Sequence, residues 1–97
     1  MPKVTYNGTV LAEADDVKVV EGNYYFPPEA IQQDYFVDSA NNTSTVCHWK
    51  GRAQYYDVVI DGDRVADAAW YYPEPKQGAA EIENHVAFYK GKVTIED

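Results

Sequence analysis

Apolar and polar residues alternate along this chain in short runs, cut at close intervals by glycine, asparagine, aspartate and proline. Val4-Thr5-Tyr6 and Thr9-Val10-Leu11-Ala12 flank Asn7-Gly8. That pair suits a tight hairpin turn whose central residues must both accept positive φ. Residues 17–20 and 23–26 predict a second pair of short strands around Glu21-Gly22, and Pro27-Pro28 ends it because proline cannot donate to a strand ladder. Pro28-Glu29-Ala30-Ile31 predicts a short helical turn, with proline early and an acid near the positive end. Residues 38–44 are small, polar and without periodicity, which reads as a surface loop.

The longest runs are residues 52–60 and 64–72, on either side of Asp61-Gly62-Asp63, with Pro73 and Pro75 stopping the second. A two-residue loop, whether Asp61-Gly62 or Gly62-Asp63, pairs odd residues of the first strand with even residues of the second. Alternation then puts Tyr55, Asp57 and Val59 on the same face as Ala66, Ala68 and Trp70. Tyr56, Val58, Ile60, Val65 and Tyr71 take the other face; a three-residue loop would reverse this assignment. Both faces carry bulky apolar groups, which places the hairpin centrally in its sheet. Residues 77–83 predict a short helix with Ala79, Ala80 and Ile82 as its apolar positions. Residues 85–89 and 92–95 predict a last hairpin around Lys90-Gly91. Many short strands with frequent turns predict a mainly β single domain over residues 1–97, a compact antiparallel two-sheet fold with one or two short helical turns.

Composition narrows the partners. A chain of 97 residues has room for one core, and nine Tyr, three Phe and two Trp supply its anchors. Sixteen acidic residues against eight basic ones give a net charge of −8. The basic residues are scattered, so the surface repels phosphate backbones and nucleic acid is not an expected partner. No apolar run is long enough to span a membrane, and Met1-Pro2-Lys3-Val4 shows no apolar signal region. A cytoplasmic location is the resulting expectation, under which the glycosylation-type triplets at Asn7, Asn41 and Asn42 are coincidental.

The chemistry centres on Cys47-His48-Trp49-Lys50-Gly51. If residues 45–49 form a strand, Cys47 and Trp49 point one way, Val46 and His48 the other, and Lys50-Gly51 makes a bend. A lone cysteine forms no internal disulfide, and one thiol with two histidines is too few for a structural zinc site, so no metal or cofactor is expected. Lys50 beside the thiol would acidify it, making Cys47 a candidate catalytic nucleophile or redox centre assisted by Lys50, His48 or Glu29. The competing reading is a buried cysteine serving as a small apolar residue. A second candidate is a concave aromatic pocket formed by Trp49, Trp70, Tyr55, Tyr56 and Tyr72, with Lys50 and Cys47 at its rim. It would bind a small ligand or peptide by stacking and cation–π contact; the competing reading makes the same rings plain core. A third is an interaction module that dimerises through a strand edge or aromatic face. Asp61-Gly62-Asp63 is accounted for by turn chemistry. Asp57 and Asp67 interrupt apolar strands, and are expected to pair with Lys50, Arg52 or Arg64 or to mark a polar spot in a pocket. There is no glycine-rich phosphate loop, nucleophile-elbow serine or metal-binding His-Glu-x-x-His helix.

Three ordered segments carry a family resemblance: Tyr25-Phe26-Pro27 with Glu29, then Cys47-His48-Trp49-Lys50-Gly51 with Ala53 and Tyr55-Tyr56, then Ala69-Trp70-Tyr71-Tyr72-Pro73 leading to Ala87-Phe88-Tyr89. Together they resemble the bacterial family called domain of unknown function 427, over nearly the whole chain. The family usually has proline between the Cys and the Trp, where this chain has His48. The resemblance implies a pair of folded-over antiparallel sheets of the β-tent type seen in zinc-binding and methionine sulfoxide reductase-like domains. The cysteine pairs that bind zinc in those domains are missing here. Some family members carry a nucleotidyltransferase-like label, but this chain has no Gly-Ser with a paired-acid metal site. What the resemblance implies for function is a cleft lined by aromatics and Cys47, without an assigned reaction.

Overall fold

Three tight turns frame the chain in the computed structural model, which describes residues 1–97. Both central residues have positive φ in Asn7-Gly8 (49° and 84°), Glu21-Gly22 (53° and 80°) and Asp61-Gly62 (49° and 85°). This is the twist-matched geometry that closes a two-residue hairpin. The turns join β1 (Lys3–Tyr6) to β2 (Thr9–Glu13), β3 (Lys18–Val20) to β4 (Asn23–Tyr25), and β7 (Gly51–Ile60) to β8 (Asp63–Tyr71). The remaining strands are β5 (Phe36–Asp38), β6 (Ser44–Cys47), β9 (Val86–Phe88) and β10 (Thr94–Glu96). The only helical pieces are single 3₁₀ segments at Pro28–Ala30, Gln33–Tyr35 and Gln77–Ile82, the last kinked at Ala79. No helix is long and apolar enough to cross a membrane.

The fold is mainly β, built from several antiparallel sheets. One sheet runs β10-β1-β2 and a larger one β5-β7-β8-β9, with β6 pairing farther along the same edge of β7. The β3–β4 hairpin joins the larger sheet where Phe26 and Val86 exchange two backbone hydrogen bonds of 2.8 Å each. The β7–β8 hairpin is therefore central, and each of its faces has its own core. On one face Phe36, Val58, Ile60, Val86 and Phe88 pack with Phe26 against Val4, Leu11 and Ala12 of the smaller sheet. Phe88 meets Phe26 and Phe36 edge-on, each at 5.9 Å between centroids. Burying each such side chain stabilises the fold by about 1.5–3 kcal/mol. On the opposite face Tyr25, Ala53, Tyr55, Trp70, Tyr72 and Ala87 are covered by Ala79 and Ile82 of the last 3₁₀ segment.

The expected face assignment holds except at one place. Ile60↔Asp63, Val59↔Arg64 and Val58↔Val65 pair next to the turn, whereas Tyr56↔Ala69, Tyr55↔Trp70 and Gln54↔Tyr71 pair beyond a bulge. Within the bulge Asp57 on β7 stands against Ala66, Asp67 and Ala68 on β8. Because β8 gains an even number of residues, the strands stay in phase on both sides of it. Ala68, expected beside Tyr55 and Trp70, instead enters the core with Val58.

Three further expectations are corrected. Residues 85–89 and 92–95 do not form a hairpin: β9 pairs with β8, and β10 crosses to pair with β1. Neither Lys90 nor Gly91 adopts positive φ. The N–H groups of Lys92 and Val93 instead return to the Tyr89 carbonyl, redirecting the chain rather than reversing it. Residues 38–44 are not simply a surface loop, since Ser39 is 6% exposed and tied inward. The strand expected over residues 45–49 ends at Cys47, which pairs with Gly51, so His48, Trp49 and Lys50 form a turn.

Candidate functional site

The Cys47–Gly51 turn is clamped by the segment that follows β8. The Lys76 N–H donates to the Lys50 carbonyl at 2.9 Å, and Lys76 Nζ to the His48 carbonyl at 2.8 Å. Gly51 has a φ of +113° and lies against this clamp; a Cβ there would stand 3.5 Å from Glu74 O and Lys76 N. Held this way, Lys50 turns inward and is only 6% exposed. Its ammonium forms an ion pair with Glu21 and lies 5.2 Å from the Trp49 ring centroid and 5.8 Å from that of Tyr72. Glu21 occupies the first left-handed position of the β3–β4 turn, which asparagine or glycine would suit better. From there it also accepts the Trp49 indole N–H at 3.4 Å.

These contacts set the local protonation. Hydrogen bonds from Lys50 and then Trp49 hold the Glu21 carboxyl below its ordinary pKa. Burial works most strongly against the Lys50 ammonium, but the bond to Glu21 together with the charges of Tyr25, Cys47 and Glu21 outweighs it and the net shift is upward. Burial also raises the Cys47 thiol, yet the backbone N–H groups of Lys50 and Trp49 and the Lys50 ammonium together bring it below the usual value. No base accompanies this thiol. His85 Nδ1 is engaged with the Glu83 carbonyl at 2.9 Å, His48 is exposed, and Glu29 sits in the 3₁₀ turn Pro28–Ala30 without a bond to the sulfur.

Of the residues expected to form one aromatic pocket, Tyr55, Trp70 and Tyr72 share one packed cluster with Cys47 against it, and only Tyr56 lies on the opposite face. Trp49, Lys50 and Tyr72 meet at the turn, where Trp49 remains 41% exposed. Trp70 is buried opposite Tyr55, donating its indole N–H to Tyr25 Oη at 3.1 Å. Tyr56 is on the other face, stacked on Tyr71 at 4.6 Å; burial and that neighbour push its pKa up to about 12. Cys47, Trp49, Lys50, Trp70 and Tyr72 line none of the three cavities. The turn is a packed, ion-paired surface feature rather than the wall of a hollow.

The aromatic face opens farther along, at Tyr55. A cavity of about 340 Å³ lies there between Thr43, Thr45, Tyr55, Asp67, Tyr89 and Lys92. The Tyr55 and Tyr89 rings are nearly parallel, 9° apart with centroids at 6.4 Å. Their hydroxyls are 3.5 Å from each other, and Thr45 Oγ1 is 2.9 Å from Tyr55 Oη. Tyr89 leans on Trp70 at 4.6 Å, so the cavity wall continues into the buried core. Burial and the bond to Tyr55 push the Tyr89 pKa up to about 12.

The bulge delivers the charges. Asp67 sits in it at a φ of +50°, an uncommon conformation for a non-glycine residue. Its carboxylate accepts from Ser39 Oγ and Thr43 Oγ1, each at 2.6 Å. Lys92 Nζ donates to the Ala66 and Asp67 carbonyls at 2.6 and 3.3 Å and lies 5.5 Å from the Tyr89 ring. A smaller cavity of about 190 Å³ shares Thr43 and Tyr55 from the other side of the same loop. The largest hollow, about 620 Å³, lies between the β3–β4 hairpin and β10; its one lining tyrosine, Tyr24, bonds to Asp97. Sequence reasoning missed Thr43, Thr45, Tyr89 and Lys92 as site residues. Tyr55 was expected in the aromatic pocket, and Asp67 carried a signal as a charge interrupting an apolar strand.

A family model described as a domain of unknown function (DUF427) matches residues 2–97. A search of curated proteins finds no match.

Proposed function

The chain belongs to the DUF427 family, and from that premise we propose that it is a small-ligand-binding module whose site is the Tyr55–Tyr89 cavity. The observation carrying this reading is an open hollow that gathers two parallel aromatic rings, two threonine hydroxyls and two opposite charges. Ligand sites combine apolar walls with a few placed polar groups in this way. A bulge beside the hollow and a left-handed aspartate within it are the kind of local irregularity that concentrates at binding sites. The expected aromatic pocket thus keeps its Tyr55 wall, while Trp70 moves to a supporting position behind Tyr89.

Thermal-shift and tryptophan-fluorescence screening against metabolites tests this, because Trp70 touches Tyr89 and reports on its environment. A ligand at a hundred times its Kd raises the unfolding free energy by about 2.7 kcal/mol. The Tyr89→Ala variant, which removes a side chain that is 39% exposed, should keep the fold and lose the shift. A screen in which no compound moves the wild type differently from Tyr89→Ala would sink the reading.

A second reading is thiol chemistry at Cys47 as a nucleophile or redox centre, favoured by the acidified sulfur alone. It lacks an adjoining hollow and a base. Retention of a cellular phenotype by Cys47→Ser would remove it.

A further inference from the structure

We propose that the Tyr55–Tyr89 cavity takes a free α-amino acid, with the ligand's ammonium on Asp67, its carboxylate on Lys92 and its side chain against the Tyr89 ring. The proposal rests on the reading of that cavity as a ligand site and names the ligand class.

The two charges lining the cavity do not neutralise each other. The ion pairs of the chain are Met1 with Asp15, Glu21 with Lys50, and Asp57 with Arg64; Asp67 and Lys92 are in none of them. Neutral groups hold each of them in place instead. A carboxylate offers about four lone-pair sites, and Asp67 uses two on the hydroxyls of Ser39 and Thr43. An ammonium has three N–H donors, and Lys92 directs two to the Ala66 and Asp67 carbonyls. Each group is fixed by its partners yet keeps unused hydrogen-bonding capacity. Preorganised charges of this kind strengthen recognition because little ordering remains to be done on binding.

Comparing ligand charges decides among the classes. A simple anion meets one ammonium beside a carboxylate, on a protein of net charge −8. A simple cation meets the same pair with the signs reversed. A neutral polyhydroxyl ligand can hydrogen-bond both groups but brings a counter-charge to neither, and desolvating a charge without a counter-charge is costly. An α-amino acid carries its ammonium and carboxylate on one carbon, so it answers both at once. The hydroxyls of Tyr55 and Thr45 remain to bond the ligand's polar atoms, and the exposed part of Tyr89 offers a flat surface for its side chain.

The test is an amide NMR titration of the full chain with four probes: phenylalanine, N-acetylphenylalanine, phenylalanine amide and glucose. Phenylalanine should shift the backbone signals of Tyr55, Asp67, Tyr89 and Lys92, and each derivative lacking one charge should bind at least tenfold more weakly. Lys92→Gln should lose tenfold or more for phenylalanine while leaving phenylalanine amide unchanged, a pattern that a general loss of folding cannot produce. Equal binding of all three phenylalanine compounds overturns the proposal, as does silence from phenylalanine. Glucose acting at these residues while phenylalanine does not would overturn the ligand class yet uphold the cavity as a site. Failure of the cavity itself is read separately, from the screen with Tyr89→Ala.

Discussion

Replacing Asp57 by alanine should cost more than any other single loss of charge in this chain. Its side chain is 1% exposed and accepts three hydrogen bonds: from the Asp67 N–H at 2.8 Å, the Ala40 N–H at 3.0 Å and Arg64 Nε at 2.8 Å. Arg64 is half exposed, so its guanidinium can turn to water when the carboxylate goes. The two backbone N–H groups have no such escape, being fixed by the bulge and by the loop behind it. A buried donor left without a partner costs about 1–3 kcal/mol, so with two such donors Asp57→Ala should lose about 2–6 kcal/mol. That is a large share of the roughly 5–15 kcal/mol typical of a whole domain. In a domain of this size each kcal/mol moves Tm by about 4–8 °C, so the midpoint should fall by about 8 °C or more. Arg64→Ala should cost about 1 kcal/mol or less, because its partner keeps both backbone donors. Burial alone would raise the Asp57 pKa, but the three donors and the Arg64 charge outweigh it and the folded value lies below the ordinary one. The resulting stability is therefore fully present above the unfolded pKa of about 3.9 and is lost as pH falls through the lower folded value. Urea melts of wild type, Asp57→Ala and Arg64→Ala between neutral and strongly acid pH would show both effects. An Asp57→Ala loss no larger than that of Arg64→Ala would refute the assignment of the energy to the backbone donors.

Gly51→Ala forces an L side chain to a φ of +113° while its Cβ meets only ordinary contact distances. Backbone strain of about 1–3 kcal/mol should appear as a lower urea midpoint, and an unchanged midpoint would show that the turn relaxes freely. Iodoacetamide labelling of Cys47 should reach half its maximal rate below a pH of about 8.5, the ordinary thiol pKa. Lys50→Met should move that midpoint upward; a wild-type midpoint at or above the ordinary value would contradict the acidified sulfur. Glu21→Gln should lower Tm at neutral pH and change Trp49 emission, because Lys50 then lacks its counter-charge in a buried position. The Glu21 pKa is lowered in the folded chain, so the difference between variant and wild type should shrink as pH falls through that value.

The turns were legible because their chemistry is local. Asn7-Gly8 and Asp61-Gly62 pair residues that tolerate positive φ, and each closes a hairpin where expected. The two faces of the central hairpin were legible for a different reason: side-chain alternation survives any bulge that adds an even number of residues. Lys90-Gly91 misled because a glycine permits positive φ without requiring it. There the choice is made at a distance, by the burial of Val93 and the pairing of β10 with β1. Asp57 and Asp67 stood out in sequence as charges inside apolar strands. Their partners Ala40, Ser39 and Thr43 come from a loop whose small polar residues give no sign of being tied inward.

The same bulge explains why the aromatic motif and the cavity lie apart. Trp49 and Lys50 lie just before the end of β7 farthest from its turn with β8, where pairing is regular and residues 74–76 pack against Gly51. Toward the other end β8 carries extra chain, and regular packing cannot absorb it. The excess turns Asp67 onto the loop at Ser39 and Thr43, and its carbonyls at Ala66 and Asp67 receive Lys92. Tyr55 is the point where both regimes meet, since it pairs with Trp70 one position before the last regular pair and also faces Tyr89. A substitution that removed the excess from β8 would therefore close the cavity without touching any residue of the Cys47–Gly51 turn. Deleting Ala66 and Asp67 together preserves the alternation of the strand, and it should abolish ligand-induced shifts while leaving the pH profile of Cys47 alkylation where it was. Loss of both would show that the turn and the cavity are one site rather than two.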